Sequence, residues 1–398
     1  MTEIILKLRV VTPLFIAGAE QEQQAELREP SIKGLLRFWY RAIYPDDPEG
    51  EAKIFGGQGK GQGQSGVLLR ITDRKLSLGH KDDDRWNKTK TAYLGYGVIV
   101  RDKKKKEITT RPYIKSGSRF SLIIRFNQFR SDQSHQCVLN AEDKLRFKRA
   151  LWAWLMFGGL GARSRKGFGS LMLDSVVGLD DDLPCLNANN KEELQASIHT
   201  FIKGISAFQQ KQISGYPEYT QWSDKTRCVI TGQGKNGEDA LEKLGCKISS
   251  LRSYQSKDKL AWVTDDHDLM DKFVRNVSVP THPPIRSAFG LPHNYFFSSS
   301  QQSGEVNFMD QNGKKGRRAS PVFFTVYEFS THTQACVVML FLPAILIPEN
   351  KEVRLSTGEQ GKAGYRYKDL ALIDDFTAIT DILDEFSKAD NHGLKVYP

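Results

Sequence analysis

Lys33, Arg37 and Arg41 recur at intervals of four in SIKGLLRFWYRAIY (31–44). On a helix, residues four apart are neighbours, so the three cations share one side. Tyr40 and Tyr44 fall in the same sector, about a third of a turn from an apolar face of Ile32, Leu35, Leu36, Trp39 and Ile43. Lys and Arg on phosphates make contacts that ignore base identity and weaken with salt. Exposed aromatics beside them give single-stranded bases a surface to stack on. The alternative is the ordinary solvated face of an amphipathic helix, and the spacing fits both. A second basic segment, GGLGARSRKGFG (158–169), sets Arg163, Arg165 and Lys166 among five glycines. Gly159, Gly161 and Gly167 would let the backbone approach a ligand closely, with successive amides facing phosphate oxygens. A plain helix-to-strand connection needs fewer glycines, so the segment reads as a backbone contact for a nucleic acid. It lacks the GK[ST] of a Walker loop, and so does Gly59-Lys60-Gly61.

Other chemistry finds less support. His267 lies in DDHDLMD, but no second cluster of His or carboxylates stands at metal-ligand spacing, so no metal and no cofactor is expected. His282 and His293 flank PPIRSAFGLP. A histidine acting as general acid or base on a 2′-hydroxyl is the metal-free route to RNA cleavage, yet neither has a recognisable partner pattern. GxSxG, HExxH and kinase signatures are absent. Five scattered cysteines with no CxxC fit neither a zinc ribbon nor a disulfide framework, and suggest a reducing cytoplasm. Lys plus Arg exceed Asp plus Glu by 57 to 47, a surplus that favours polyanionic partners. The charged N-terminal run is no signal peptide. The longest apolar run, ACVVMLFLPAILIP (335–348), is short and broken by Pro343, so it reads as a buried strand and turn rather than a membrane span.

The elements that must position these residues follow in order. Strands are expected at 3–11, 66–71, 119–126 and 170–177, with helices at 31–44, capped by Ser31, and 141–157. That is the split βαβ order of ferredoxin-like and RNA-recognition folds. Residues 73–117, with RDKKKK at 101–106, read as an irregular insertion or mobile loop. A polar stretch at 180–190 marks a boundary, giving domains 1–179 and 190–398. Beyond it, helices are expected at 191–208, 267–277 and near 368–388, and strands at 226–232, 320–329 and 335–342.

TPLFIAGA (12–19), LREPSIKGLLRFWYRA (27–42), AKIFGG (52–57) and GLGARSRKGFGSL (159–171) together resemble the RAMP superfamily of CRISPR-associated proteins. AFGLP (288–292) and RRASPVFFTVY (317–327) narrow the likeness to the Cmr, type III-B, effector. The resemblance implies an α+β chain of two ferredoxin-like (RRM-like) βαββαβ domains with insertions. It implies a non-catalytic subunit holding the 3′ region of the CRISPR RNA and the target RNA paired there, with other Cmr subunits as partners and no membrane. Lys33, Arg37, Arg41, Gly159, Gly161, Arg163, Arg165, Lys166 and Gly167 carry over as RNA contacts, joined by Arg286, Arg317 and Arg318 in the second half. Two rivals stay open: a metal-independent endoribonuclease that processes CRISPR RNA, and a purely architectural subunit whose cations meet acidic partners.

Overall fold

The computed structural model describes residues 3–59, 62–104, 106–127, 138–179, 183–206, 215–310, 314–330, 334–347, 352–358, 362–371, 375–388 and 393–397. Lys60, Gly61, Lys105, Gly313 and the start of the 180–190 stretch lie outside them.

Strand Glu3–Val10 buries Ile4, Leu6, Leu8 and Val10, the alternation of a sheet with one covered face. It pairs antiparallel with Arg119–Phe126, placing Ile4 opposite Ile124 and Leu6 opposite Leu122. Val67–Lys75 and Leu171–Val177 complete a four-stranded sheet. Numbered along the chain, its strands run 2-3-1-4 across the sheet. In the second half Arg227–Gly234, Val322–Glu328, Ala335–Phe341 and Leu394–Tyr397 form another sheet in the same 2-3-1-4 order. The helices fall at matching places: Glu29–Ile43 and Ala141–Phe157 in the first half, Gly237–Arg252 and Thr377–Phe386 in the second. The chain is thus a mixed α/β protein of antiparallel sheets. A further sheet, led by His293–Phe297 and Gln302–Met309 and paired to Glu352–Thr357 and Arg366–Ala371, is inserted into the second half.

Helix Ala141–Phe157 starts on a capping box: Asn140 Oδ1 accepts from the Asp143 amide and Asp143 Oδ2 from the Asn140 amide. From Phe147 onward it is buried almost all round, because it touches strands Val322–Glu328 and Ala335–Phe341 of the other half. Those strands also meet helix Gly237–Arg252, so every residue in both is buried. This explains the continuous apolar run read as a buried strand. Arg9 spans the halves: its Nε donates to Asp174 at 3.1 Å and its Nη1 to Glu328. Glu328 in turn accepts from the Gly237 amide at the start of a helix.

Four expectations need correction. The first helix begins at Glu29 with Pro30 in its opening turn, so Ser31 lies inside it and caps nothing. The stretch 73–117 is built into the protein: Trp86, Leu94, Val98, Tyr113 and Ile114 are buried, and Glu242 on helix Gly237–Arg252 accepts from the Lys90 and Thr91 amides at 2.7 Å. Its charges are spread between those apolar residues without period, which hid the core contribution. Residues 366–371 are a strand, and the last helix is the shorter Thr377–Phe386. Helix 267–277 likewise starts earlier, at Trp262, with no capping side chain to signal it.

Candidate nucleic-acid interface

The cationic row of the first helix is largely neutralised. Asp47 caps the next helix, Pro48–Phe55, and so aims Glu51 back at the row. Arg41 donates to both Glu51 oxygens at 2.6 and 2.7 Å. Arg37 Nε lies 3.2 Å from the same carboxylate, and its Nη2 donates to the Gly56 carbonyl. The bonds from Glu51 hold the Arg41 guanidinium above its usual range. Lys33 makes no ion pair among the described residues, and burial together with Arg37 lowers its amine. The tyrosines are not stacking platforms. Tyr40 is fully buried and donates to Asp47 at 2.6 Å; Tyr44 is half-buried and accepts from Arg149 at 3.0 Å. The helical wheel placed them beside the cations correctly, but helices Pro48–Phe55 and Ala141–Phe157 cover the two rings while Arg41 stays exposed.

The glycine-rich loop is rigidly held. Gly161 sits at φ +84°, where a Cβ would stand 2.4 Å from the Phe15 carbonyl oxygen, so both backbone freedom and close approach demand glycine there. Gly167, at φ +86°, faces Leu241 of the second half. Gly159 packs under the Phe168 and Gly169 carbonyls. The amides of Leu160, Ala162, Lys166 and Gly169 are all spent on protein carbonyls. The glycines therefore have packing roles, and the loop offers its side chains more than its backbone. Arg163, exposed and itself at φ +61°, lays its guanidinium over Gly97.

Across this loop the halves are stitched together. The Phe324 amide donates to the Arg165 carbonyl at 3.2 Å, Thr325 to the Gly158 carbonyl at 3.2 Å, and the Val326 amide to Ser170 Oγ at 2.9 Å. Arg165 runs over the rings of Phe323 and Phe38, 4.4 and 5.2 Å from their centroids, and donates to the Ser320 carbonyl. Burial and then Arg318 push its guanidinium down to about 10. Burial, and secondarily Arg317, lowers Arg163. Arg318 donates to the Ile345 carbonyl at 2.6 Å, while its backbone pairs with Leu291. Lys166 is pushed down to about 7 by burial and then by Arg252, Arg163 and Arg165. Arg286 lies 3.4 Å from Asp266. Six of the cations picked from sequence thus meet at one seam, with Arg163, Arg165, Lys166 and Arg317 making no ion pair among the described residues. Lys33, Arg37 and Arg41 stand apart from that repulsive cluster.

Two members were missed: Arg252, an ordinary basic residue closing a helix, and Tyr96, 65% exposed and close enough to Arg163 to influence its charge. His282 is exposed, and His267 stacks on Tyr254 with ring centroids 3.6 Å apart. Burial, then Arg252 and Arg286, drives His293 down to about 3, so at neutral pH it is a neutral imidazole. Among the described residues no group of three His, Cys, Asp or Glu is placed to hold a metal, and no helix is long and apolar enough to cross a membrane.

A basic seam between two α/β halves of matching topology defines a class, and comparison with known proteins supplies it. A model of the RAMP superfamily matches residues 7–172. The CRISPR system Cmr subunit Cmr1-2 of Pyrococcus furiosus is 30% identical over 194 residues, 44% of this chain and 97% of that protein. Cmr1-1 of the same organism is 25% identical over 179 residues, 42% of this chain and 46% of that protein. The chain belongs to the RAMP superfamily, within its Cmr1 family. The apo crystal structure of Cmr1 from Pyrococcus furiosus shares the fold, with a TM-score of 0.57 at 18% identity over 100% of this chain and 99% of that one.

Proposed function

We propose that this chain is a non-catalytic RNA-binding subunit of a type III-B (Cmr) CRISPR effector, made of two ferredoxin-like units. It holds the 3′ region of the CRISPR RNA, and target RNA paired there, along the seam between its halves. One observation carries the reading: Arg163, Arg165, Lys166, Arg286, Arg317 and Arg318 come from distant parts of the chain to one place, and burial and mutual repulsion lower three of them. Concentrating positive charge in one place costs folding energy that an anionic strand would offset. Pairing between guide and target would read sequence, so the protein needs only shape and backbone contacts. Other Cmr subunits would be its partners, as the name of its Pyrococcus relative suggests.

The test is anisotropy of a labelled single-stranded RNA titrated with the full chain across a salt series. Affinity should fall with salt, with a slope that flattens by about 0.7 for each phosphate contact removed. Binding unchanged by loss of Arg163 and Arg317 would refute the reading. Metal-independent cutting of that RNA during long incubation, abolished by His282→Ala or His293→Ala, would replace it with the nuclease.

A further inference from the structure

Beneath the seam lies a group of buried polar atoms without a hydrogen bond, one of which, Arg286 Nε, has only the 3.4 Å ion pair to Asp266. Helix Trp262–Val274 supplies Asp266, whose carboxylate accepts from the Ile285 and Arg286 amides at 2.7 and 2.9 Å. That anchors the short 3-10 turn Ile285–Phe289 and aims Arg286 over the Tyr295 ring, 5.2 Å from its centroid. Arg252 closes the neighbouring helix and lies over Phe289 at 4.6 Å. Strand His293–Phe297 presents alternate residues, His293 and Tyr295, to the same place. Arg252 Nε, Arg286 Nε, His293 Nε2 and the Tyr295 hydroxyl are all buried without a hydrogen bond among the described residues. Tyr295 is only 8% exposed. Lys166 enters from the first half, close enough to Arg252 and His293 to repel both. Arg252, Arg286 and His293 are each half-buried, so the site opens to solvent.

Buried donors normally find acceptors, and here several donors and three cations converge with Asp266 as their one carboxylate among the described contacts. Asp266 already takes two amides, so the deficit is of acceptor oxygens carrying negative charge. We propose that Arg252, Arg286, His293, Tyr295 and Lys166 form a receiving pocket for a single backbone phosphate of RNA, which turns inward beneath the glycine-rich loop. The pocket rests on the RNA-binding reading above. A phosphodiester has two non-bridging oxygens that share one negative charge and keep open lone pairs, matching two guanidiniums and a phenol. Its charge would also restore the protonated form of Lys166, which burial disfavours. The apolar walls, Trp262, Phe289 and the Tyr295 ring, fit a compact tetrahedral group better than a flat base edge.

The experiment uses the full chain with two probes: inorganic phosphate, read by thermal unfolding, and a labelled RNA, read by anisotropy. Phosphate should raise the wild-type melting temperature, and this gain should vanish in Arg252→Gln. The same variant should weaken RNA roughly tenfold and flatten its salt slope by about 0.7. Tyr295→Phe, which keeps the ring and its packing, should weaken RNA about threefold and guards against misfolding of the charge variant. Equal binding of 3′-hydroxyl and 3′-phosphate RNA is expected; a strong preference for the phosphorylated end would overturn the backbone assignment. RNA binding with unchanged affinity and slope in both variants would overturn the pocket and leave the RNA reading standing. Phosphate stabilisation lost in Arg252→Gln, with no RNA bound by any form, would support the pocket as a phosphate site and overturn the RNA reading.

Discussion

The first helix and the loop at 158–169 each carry three cations, yet they live under opposite electrostatics. On the helix, Glu51 takes two of the three, and Arg41 remains 62% exposed beside it. At the loop, cations face other cations across the seam and aromatic rings take the place of carboxylates. The first arrangement is balanced by a carboxylate; the second sets cations against one another and against rings. A count of Lys and Arg along the chain cannot separate them, because the partner that decides lies 10 residues away in one case and 155 in the other.

The most severe break should come from the seam. Arg163→Ala with Arg317→Ala should cost roughly a hundredfold in RNA affinity at low salt by anisotropy; loss of a few fold only would dissolve the contrast. Lys166→Met should be next, and its two effects have opposite signs. The folded-state value of Lys166, about 7, lies below its ordinary 10.5, so between those values the unfolded chain holds the extra proton. Stability of the native protein therefore rises with pH across that window, and the penalty is fully present below 7. Methionine should raise the melting temperature at pH 6, give less gain as pH approaches 10, and weaken RNA. A pH-independent gain would show that the amine is not burdened by burial. Glu51→Gln sharpens the comparison from the other side. It releases Arg37 and Arg41, so stability should fall by about 1 kcal/mol in urea unfolding while RNA affinity rises slightly. Smallest of all is Tyr40→Phe. Loss of the hydrogen bond to Asp47 should cost about 1 kcal/mol of stability and leave RNA affinity unchanged; weakened RNA would return Tyr40 to the binding surface.

Local pattern was enough for much of the fold. The 3.6-residue spacing of Ile32, Leu36, Trp39 and Ile43 found the buried face of the first helix, and the β-branched runs found the strands of the first sheet. The loop cations were legible because glycines and arginines crowd a short segment. What stayed hidden was long-range. Glu51 arrives on a separate helix, Trp86 and Tyr113 reach the core from a stretch whose charges mask them, and Arg252 gains meaning only from the distant Lys166 and His293. His293 was noticed in sequence as a candidate acid or base. The neighbours that suppress its proton, Arg252 and Arg286, come from other segments and give no local signal.

Phe38 and Trp39 pack on Phe323, and Arg9 is bound by Glu328, so away from the basic seam the border between the halves is built of buried apolar side chains. Calorimetry should accordingly record one cooperative melting event rather than two. A chain cut near residue 185 would expose a greasy wall and a stranded guanidinium, and neither piece would persist alone in water.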